Sequence, residues 1–289
     1  PTEVERLRAV HRTVTREGLP SRWLSSEEVA RRIPGVSTAG ILGGSYLASD
    51  GTLYPFPVIW GLFEAVRASG VEVCLGTEVY RISARDDRRL SVDSAHGRLD
   101  ADCVVNSAGG WSSEVARRAG VDLPTRPVRH EICATEPLKP FLDPMVVRAS
   151  DGLYFSQTMR GELVGGISVP HTEGLGPGMT TSAGFLVRYA RAVLGLYPAL
   201  RDLRVLRAWS GYYDESPDGL PILGPDPSLP GLVHAAGFGG HGFMLAPAIG
   251  RLVAAAALGE RTAELAPFAP GRFANPSAPV RNREKLSLG

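Results

Sequence analysis

Cysteine is scarce. Cys74, Cys103 and Cys133 are the three in 289 residues, odd in number and without a C-x-x-C spacing. They offer neither a paired disulfide framework nor a dithiol motif, so a reducing, cytoplasmic setting is the expectation. No apolar run reaches the ~18 residues that a membrane-spanning helix needs. An excess of charge of one sign is missing too: 31 Lys and Arg stand against 30 Asp and Glu, a net charge of +1, with no run of like charges. That leaves no electrostatic footprint for a nucleic acid and favours a small, nearly neutral ligand. Internal repeats and low-complexity tracts are absent, which excludes solenoids. A signal-peptide pattern is absent as well, and the chain opens on Pro1 rather than Met, running straight into a charged helical pattern over residues 4–16. A start inside a longer protein is the expectation.

What is present is punctuation, 34 Gly and 23 Pro, the mark of many short turns. Residues 23–32 (WLSSEEVARR) read as a capped helix, with Ser25 or Ser26 accepting from first-turn N–H groups, Glu28 beside them and Pro34 as the stop. Asp50-Gly51 predicts a turn, and Val58, Ile59, Leu62, Phe63 and Val66 space a helix over 56–68. Strands are expected at 71–75, 78–82 and 90–93, and residues 98–105 lead into another buried strand. The alternation points to an α/β sheet with an antiparallel insertion. A chain of this length exceeds one domain of ~100–200 residues, so two domains or one large discontinuous domain are expected.

Three segments carry chemistry. In residues 103–111 (CVVNSAGGW) an apolar strand ends in small residues before a helix that Ser112 or Ser113 can cap. Ala108, Gly109 and Gly110 put little side chain in the way of a ligand, although an ordinary strand-to-helix turn has the same look. Residues 235–250 (AAGFGGHGFMLAPAIG) contain a literal G-x-G-x-x-G at Gly237, Gly239 and Gly242. It is not the dinucleotide fingerprint, because no second strand with an acidic end follows its helix, predicted over 245–258. What remains is a flexible loop at a positive helix end, suited to a ligand carrying negative charge. In residues 207–225 (RAWSGYYDESPDGLPILGP), Tyr212 and Tyr213 precede a turn at Pro217, Asp218 and Gly219. Paired tyrosines are more often core fillers than site residues.

In this order the segments LSSEEVARRIPGV, DGTLYPFPVIWGLFEAV, GTEVYRI, VVNSAGGW, WSGYYDESPDGLPILGP, AAGFGGHGFMLAPAIG and FAPGRF resemble the amine-oxidising flavoproteins: D-amino acid oxidase, glycine oxidase, sarcosine oxidase and proline dehydrogenase β-subunits. The resemblance covers nearly the whole chain and implies a mixed α/β fold: a Rossmann-like FAD-binding domain, incomplete at its N-terminus, with an inserted substrate domain on a mainly antiparallel sheet. It implies a flavin side over 55–128 and 217–289 and a substrate side over 1–54 and 129–216. The family's opening strand, G-x-G-x-x-G turn and acidic-ended second strand have no counterpart here.

The resemblance further implies FAD as cofactor, with Val79 towards the adenine, Ala108, Gly109 and Trp111 along its middle, and Phe238, Gly239, Gly240, His241, Gly242, Phe243 and Met244 around the ring. His241, Tyr212 and Tyr213 become catalytic candidates, and Tyr154, Phe155, Tyr213 and Met244 substrate contacts. The implied reaction oxidises the C–N bond of an amino acid or N-substituted amino acid by hydride transfer to flavin N5, giving an imine that hydrolyses. Oxygen or an electron-accepting partner subunit would take the electrons. Met244 stands where monomeric sarcosine oxidases carry Lys, Tyr213 where glycine oxidases carry Arg, and Ser210 where the flavin-tethering Cys lies, so those specificities do not transfer. Arg129, Arg148 and Arg160 are candidate carboxylate-binding cations. The alternatives are an oxidase-like domain of a tRNA-modifying enzyme, which the balanced charge disfavours, and a non-catalytic subunit.

Overall fold

The structure, a computed structural model, describes residues 2–168, 179–260 and 262–274. The expected reach of the flavin side to residue 289 therefore lies partly outside the described residues. In chain order the elements are α1 (Thr2–Arg16), β1 (Ser21–Leu24), α2 (Ser26–Arg32), β2 (Gly44–Leu47), α3 (Pro55–Ala68), β3 (Val79–Ala84), β4 (Leu90–Ser94), β5 (Gly97–Ala101), β6 (Val104–Asn106) and α4 (Ser112–Arg118). There follow β7 (Arg126–Pro137), β8 (Val146–Arg148), β9 (Leu153–Gln157), β10 (Glu162–Gly166), α5 (Ala183–Leu196), β11 (Val205–Glu215), β12 (Ile222–Pro225), β13 (Leu232–Ala236), β14 (Phe238–Gly239) and α6 (Gly242–Ala257).

A six-stranded antiparallel sheet, in the order β14-β11-β7-β10-β9-β8, is built around the long pair β7 and β11. Side chains alternate between its two faces. Cys133, Leu153, Phe155 and Leu163 turn to one side and meet Phe185, Tyr189, Ala192, Val193 and Leu196, the single apolar stripe of α5. Ser182 starts that helix, accepting from the Phe185 N–H at 3.1 Å while its own N–H and hydroxyl donate to the buried Glu131 of β7. One residue thus caps the helix and locks it to the sheet.

A second sheet, β12-β13-β6, pairs β13 with β6 in parallel. Leu223 and Val233 face α6, while Ile222, Leu232 and Ala236 pack with Ile82, Leu90 and Ala116, so both faces are covered. The strands β3-β4-β5 form a third, antiparallel sheet, and β1 pairs with β2.

Several boundaries differ from expectation. The capping box of Ser25 and Glu28 forms, but Trp23 and Leu24 belong to β1. The turn expected at Asp50-Gly51 closes earlier, with the Asp50 N–H donating to the Leu47 carbonyl. Residues 98–105 divide at Asp102 because β5 pairs with β4 whereas β6 pairs with β13. Neither Ser112 nor Ser113 caps α4: Trp111 holds the cap position and Ser112 is buried in the first turn. The helix expected over 245–258 begins at Gly242, with Pro247 tolerated in its opening turns. Residues 71–75 form no strand, since no neighbouring strand pairs with them among the described residues. The helix α3 is present as expected but buries none of its residues; Trp60 is 65% exposed.

Candidate active site

The short turn after β6 is held by a buried polar network. Asn106 donates through Nδ2 to the Ser112 carbonyl at 2.9 Å, and its Oδ1 accepts the Ala108 N–H at 3.3 Å. Behind it lies His234 of β13, 0% exposed, whose Nε2 is 3.0 Å from Asp226 Oδ2. Asp226 in turn accepts from the Ser228 hydroxyl and from the N–H groups of Ser228 and Leu229. A carboxylate on Nε2 assigns the imidazole proton to that nitrogen, leaving Nδ1 to accept from Asn106 at 3.4 Å. Burial holds the His234 pKa below its usual range, against the pull of Asp226. Burial alone would raise the Asp226 carboxyl, but the Ser228 hydroxyl and N–H, then His234, bring it below the ordinary value.

The turn at 216–220 is fixed by the closing segment. Arg272 makes a fork to Asp218, Nε to Oδ2 at 2.8 Å and Nη2 to Oδ1 at 2.9 Å, and also donates to the Leu220 carbonyl. Just before it, buried Asp214 accepts the Gly237 N–H at 2.6 Å, joining the end of β11 to the glycine loop. Burial raises the Asp214 carboxyl, opposed by that N–H and by the hydroxyls of Thr125 and Ser112.

The two tyrosines of β11 turn to opposite sides. Tyr212 meets Trp111 edge to face, ring centroids 5.7 Å apart, and its Cβ would lie 2.8 Å from a side chain added at Gly110. The bare backbone of Gly110 therefore makes room for Tyr212 rather than for a ligand. Tyr213 lies under the loop: a Cβ at Gly240 would sit 3.0 Å from its Cζ. On its other side Tyr213 stacks on His130 at 4.6 Å and 14°, and His130 stacks on Tyr154 at 5.9 Å and 16°. Burial raises the pKa of both phenols, so both remain hydrogen-bond donors at neutral pH. The loop opens α6 with His241 as a cap residue that makes no side-chain capping bond, leaving the helix start to its backbone N–H groups.

The sequence model of the FAD dependent oxidoreductase (DAO) family matches residues 1–256. The chain belongs to this family. It is 30% identical over 252 residues to the sarcosine oxidase subunit beta of Rhodobacter capsulatus, covering 84% of this chain and 60% of that protein. Among solved structures, it superposes on glycine oxidase from Geobacillus kaustophilus with a TM-score of 0.84 at 28% identity, over 93% of this chain and 71% of that one. It also superposes on L-proline dehydrogenase from P. horikoshii with a TM-score of 0.82 at 29% identity, over 90% and 70%. The mixed fold with its curled antiparallel sheet is thus the glycine oxidase fold. The chain spans about 60% of the length of the first curated relatives it matches.

For a member of the FAD dependent oxidoreductase family, the residues present fit part of the cofactor. Gly109 and Gly239 both hold a left-handed φ of 55°, and no described atom lies within 4 Å of where either side chain would stand. Such open, bare backbone beside an uncapped helix start suits the close approach of an anionic or electron-rich group. Phe243 is exposed and Met244 is 69% exposed, while Phe238 packs beneath the loop against Gly242. The G-x-G-x-x-G at 237–242 lies between β13 and α6, and no strand follows α6 among the described residues, in keeping with its reading as a loop of another kind.

The remaining expected residues lie on β3, β7, β8, β9 and the turn before β10. Val79 starts β3, with its carbonyl accepting from Arg118 of α4, the helix that follows the 108–111 turn. Phe155, expected beside the substrate, is 0% exposed in the core against α5, because the alternation that turns Tyr154 towards His130 turns Phe155 away. Of the candidate cations, Arg148 is paired with Asp151 at 2.8 Å, Arg160 is an exposed turn residue, and Arg129 alternates with His130 and so points to the other face. Two groupings were not legible in the sequence: His130 opposite Gly211 in the six-stranded sheet, and Asn106, His234 and Asp226 around the β12-β13-β6 sheet, because each is made by pairing between segments far apart in the chain. Among the described residues no group of His, Cys, Asp and Glu is arranged to hold a metal, and no helix is long and apolar enough to cross a membrane.

Proposed function

We propose that this chain carries the substrate side and the ring-facing loop of an FAD-dependent enzyme that oxidises the C–N bond of an amino acid or N-substituted amino acid of the sarcosine, glycine, proline or opine type. The observation that carries the reading is the stack of Tyr154, His130 and Tyr213 running across the antiparallel sheet to end against Gly240. It joins a face able to hold a small organic molecule to the loop that opens α6. In this division, 55–128 and 217–289 form the flavin side, and 1–54 with 129–216 the substrate side.

A bound flavin supplies a hydride acceptor, and the substrate leaves as an imine that water converts to a carbonyl compound and an amine. The chain's own contributions are positional. Backbone N–H groups at the start of α6, which no side chain caps, would hold the electron-rich edge of a bound flavin ring, helped by the helix dipole. The phenols of Tyr154 and Tyr213, kept protonated by burial, donate hydrogen bonds to a carboxylate. His241 stands at the junction of loop and helix, within the segment assigned to the ring. Oxygen or an electron-accepting partner subunit would take the electrons.

The test is anaerobic mixing of the flavin-loaded protein with glycine, sarcosine, proline and an N-(carboxyalkyl) amino acid, following loss of the oxidised flavin absorbance and formation of the carbonyl product. Bleaching by at least one of them, with stoichiometric product, is expected. Unchanged absorbance with every member of the panel would remove the amine-oxidising reading.

A further inference from the structure

One glycine in the six-stranded sheet is not explained by the fold. A side chain at Gly165 would lie 2.1 Å from the Tyr154 carbonyl oxygen, and one at Gly166 would lie 2.7 Å from the Glu131 carbonyl oxygen and 2.8 Å from the Tyr154 hydroxyl. Those two are bare because neighbours occupy the space. Gly239 is held at a left-handed φ of 55°. Gly211, inside β11, has neither reason: its φ is not left-handed, and no described atom lies within 4 Å of a Cβ built there. Glycine in a strand interior weakens the strand and commonly marks a place that something else approaches.

Register shows what surrounds the gap. Gly211 is directly opposite His130, Trp209 opposite Ile132 and Tyr213 opposite Val128, so these side chains share one face. Ile132 is also opposite Gly166, which is opposite Tyr154, extending the same face across β10 to β9. The stacking of His130 between Tyr213 and Tyr154 confirms that all three rings lie on it. The opposite face is filled by α5. Gly211 is therefore a notch with Trp209 at one end, Tyr213 at the other and His130 as its wall. Two residues of strand span ~7 Å, a distance that a small amino acid bridges between the notch and the ring of Tyr213 under Gly240.

We propose that this notch seats the carbon body or N-substituent of the substrate, and that Gly211 is a specificity-determining residue favouring a ring-shaped or branched apolar group over hydrogen. The proposal rests on the amine-oxidising reading above and deepens it. Three aromatic walls offer flat apolar contact, and the charged residues that register puts on the same face lie beyond them in ion pairs, Arg207 with Glu162 past Trp209 and Arg126 with Glu215 past Tyr213, whereas glycine itself would leave the notch empty. Gly211 acts by leaving space, so filling the space is the decisive change.

The experiment measures binding, which needs no turnover. Calorimetry on the flavin-loaded protein compares pyrrole-2-carboxylate, a flat ring with a carboxylate, with acetate, in the wild type, Gly211→Ala and Gly211→Val. Both substitutions suit extended backbone and open space, so thermal midpoints equal to or above the wild type are expected. The wild type is expected to bind the ring carboxylate more tightly than acetate. Gly211→Ala should weaken the ring carboxylate by about tenfold and Gly211→Val by about a hundredfold, the scale of one misplaced methyl group in a fitted pocket, with acetate changed by no more than about twofold. Equal losses for both ligands, or none for either, would overturn the seat while leaving amine oxidation intact. A wild type that binds acetate as tightly as the ring carboxylate would do the same. No carboxylate binding together with no flavin bleaching by the amine panel would overturn the underlying reading and the seat with it.

Discussion

Gly240 and Gly211 are both glycines near Tyr213, yet they make opposite demands. At Gly240 the space is taken, since a Cβ would stand 3.0 Å from Tyr213 Cζ and 3.1 Å from its hydroxyl oxygen. Gly240→Val must therefore displace either the tyrosine or the loop, and with the loop go the backbone N–H groups that open α6. Loss of one well-aimed donor is worth about 3 kcal/mol, roughly a hundredfold in rate. The expected outcome is lower flavin content or flavin reduction slowed on that scale, read from absorbance per protein and from anaerobic mixing with substrate. Gly271→Val serves as the control, because no described atom lies within 4 Å of its added Cβ and its φ is not left-handed. If the Gly240 variant matched this control in both measurements, the loop would be a tight turn and no more. At this scale the sequence announced the loop through its glycines, but it could not say that Gly110 is bare for Tyr212, nor that Tyr154 and Phe155 part to opposite faces. Such assignments depend on which strand lies opposite, and no local pattern records that.

Among the elements, β6, β13 and α4 are tied by side chains more than by length. The strand β6 has three residues, and its continuation into the turn at 108–111 depends on Asn106, His234 and Asp226. His234→Ala leaves Asn106 Nδ2 and Asp226 Oδ2 each short of a buried partner, at about 1–3 kcal/mol per unsatisfied group. The sign of the pH effect follows from burial. The folded-state pKa of His234 lies below its ordinary 6.5, so between those two values the unfolded chain binds more protons than the folded one. The stability that His234 contributes is complete above about 6.5 and is lost as the pH falls below it towards the folded value. Thermal midpoints of the wild type and His234→Ala, measured from pH 8 down to pH 5, should thus converge. A gap that stayed constant over that range would mean that the imidazole titrates normally. Capping was legible in part: Ser25, one of two candidates, caps α2 and forms a box with Glu28 three residues on, whereas neither Ser112 nor Ser113 caps α4, whose cap position falls on Trp111. The strand expected at 71–75 shows the opposite limit. Its alternation is plain, but a strand exists only with a neighbour to pair with.

At the scale of the whole molecule, the described residues leave an apolar surface exposed. Phe56, Ile59, Trp60 and Leu62 of α3 are all exposed, as are Val71, Val73 and Leu75 beyond it and Val105 on β6, an edge strand of its sheet. The fold class and the order of segments were readable from the sequence because each is a local motif, whereas this surface was not, since α3 has the composition of a buried helix. Contiguous exposed apolar area beyond a few hundred Å² is unusual on a protein that stays monomeric. Among the described residues the helix buries none of its apolar side chains, so changing them should alter association and leave folding unaffected. We expect the 289-residue chain, purified alone, to self-associate in a concentration-dependent way by light scattering and to enhance the fluorescence of an apolar dye. The double variant Trp60→Glu with Leu62→Glu places two carboxylates on the helix surface and should lower both signals while keeping the wild-type thermal midpoint within ~2 °C, as expected of exposed sites. A wild-type chain that is monodisperse and monomeric at high concentration would show that these residues are covered in solution. A midpoint falling well beyond that margin in the double variant would show that α3 is packed into the fold.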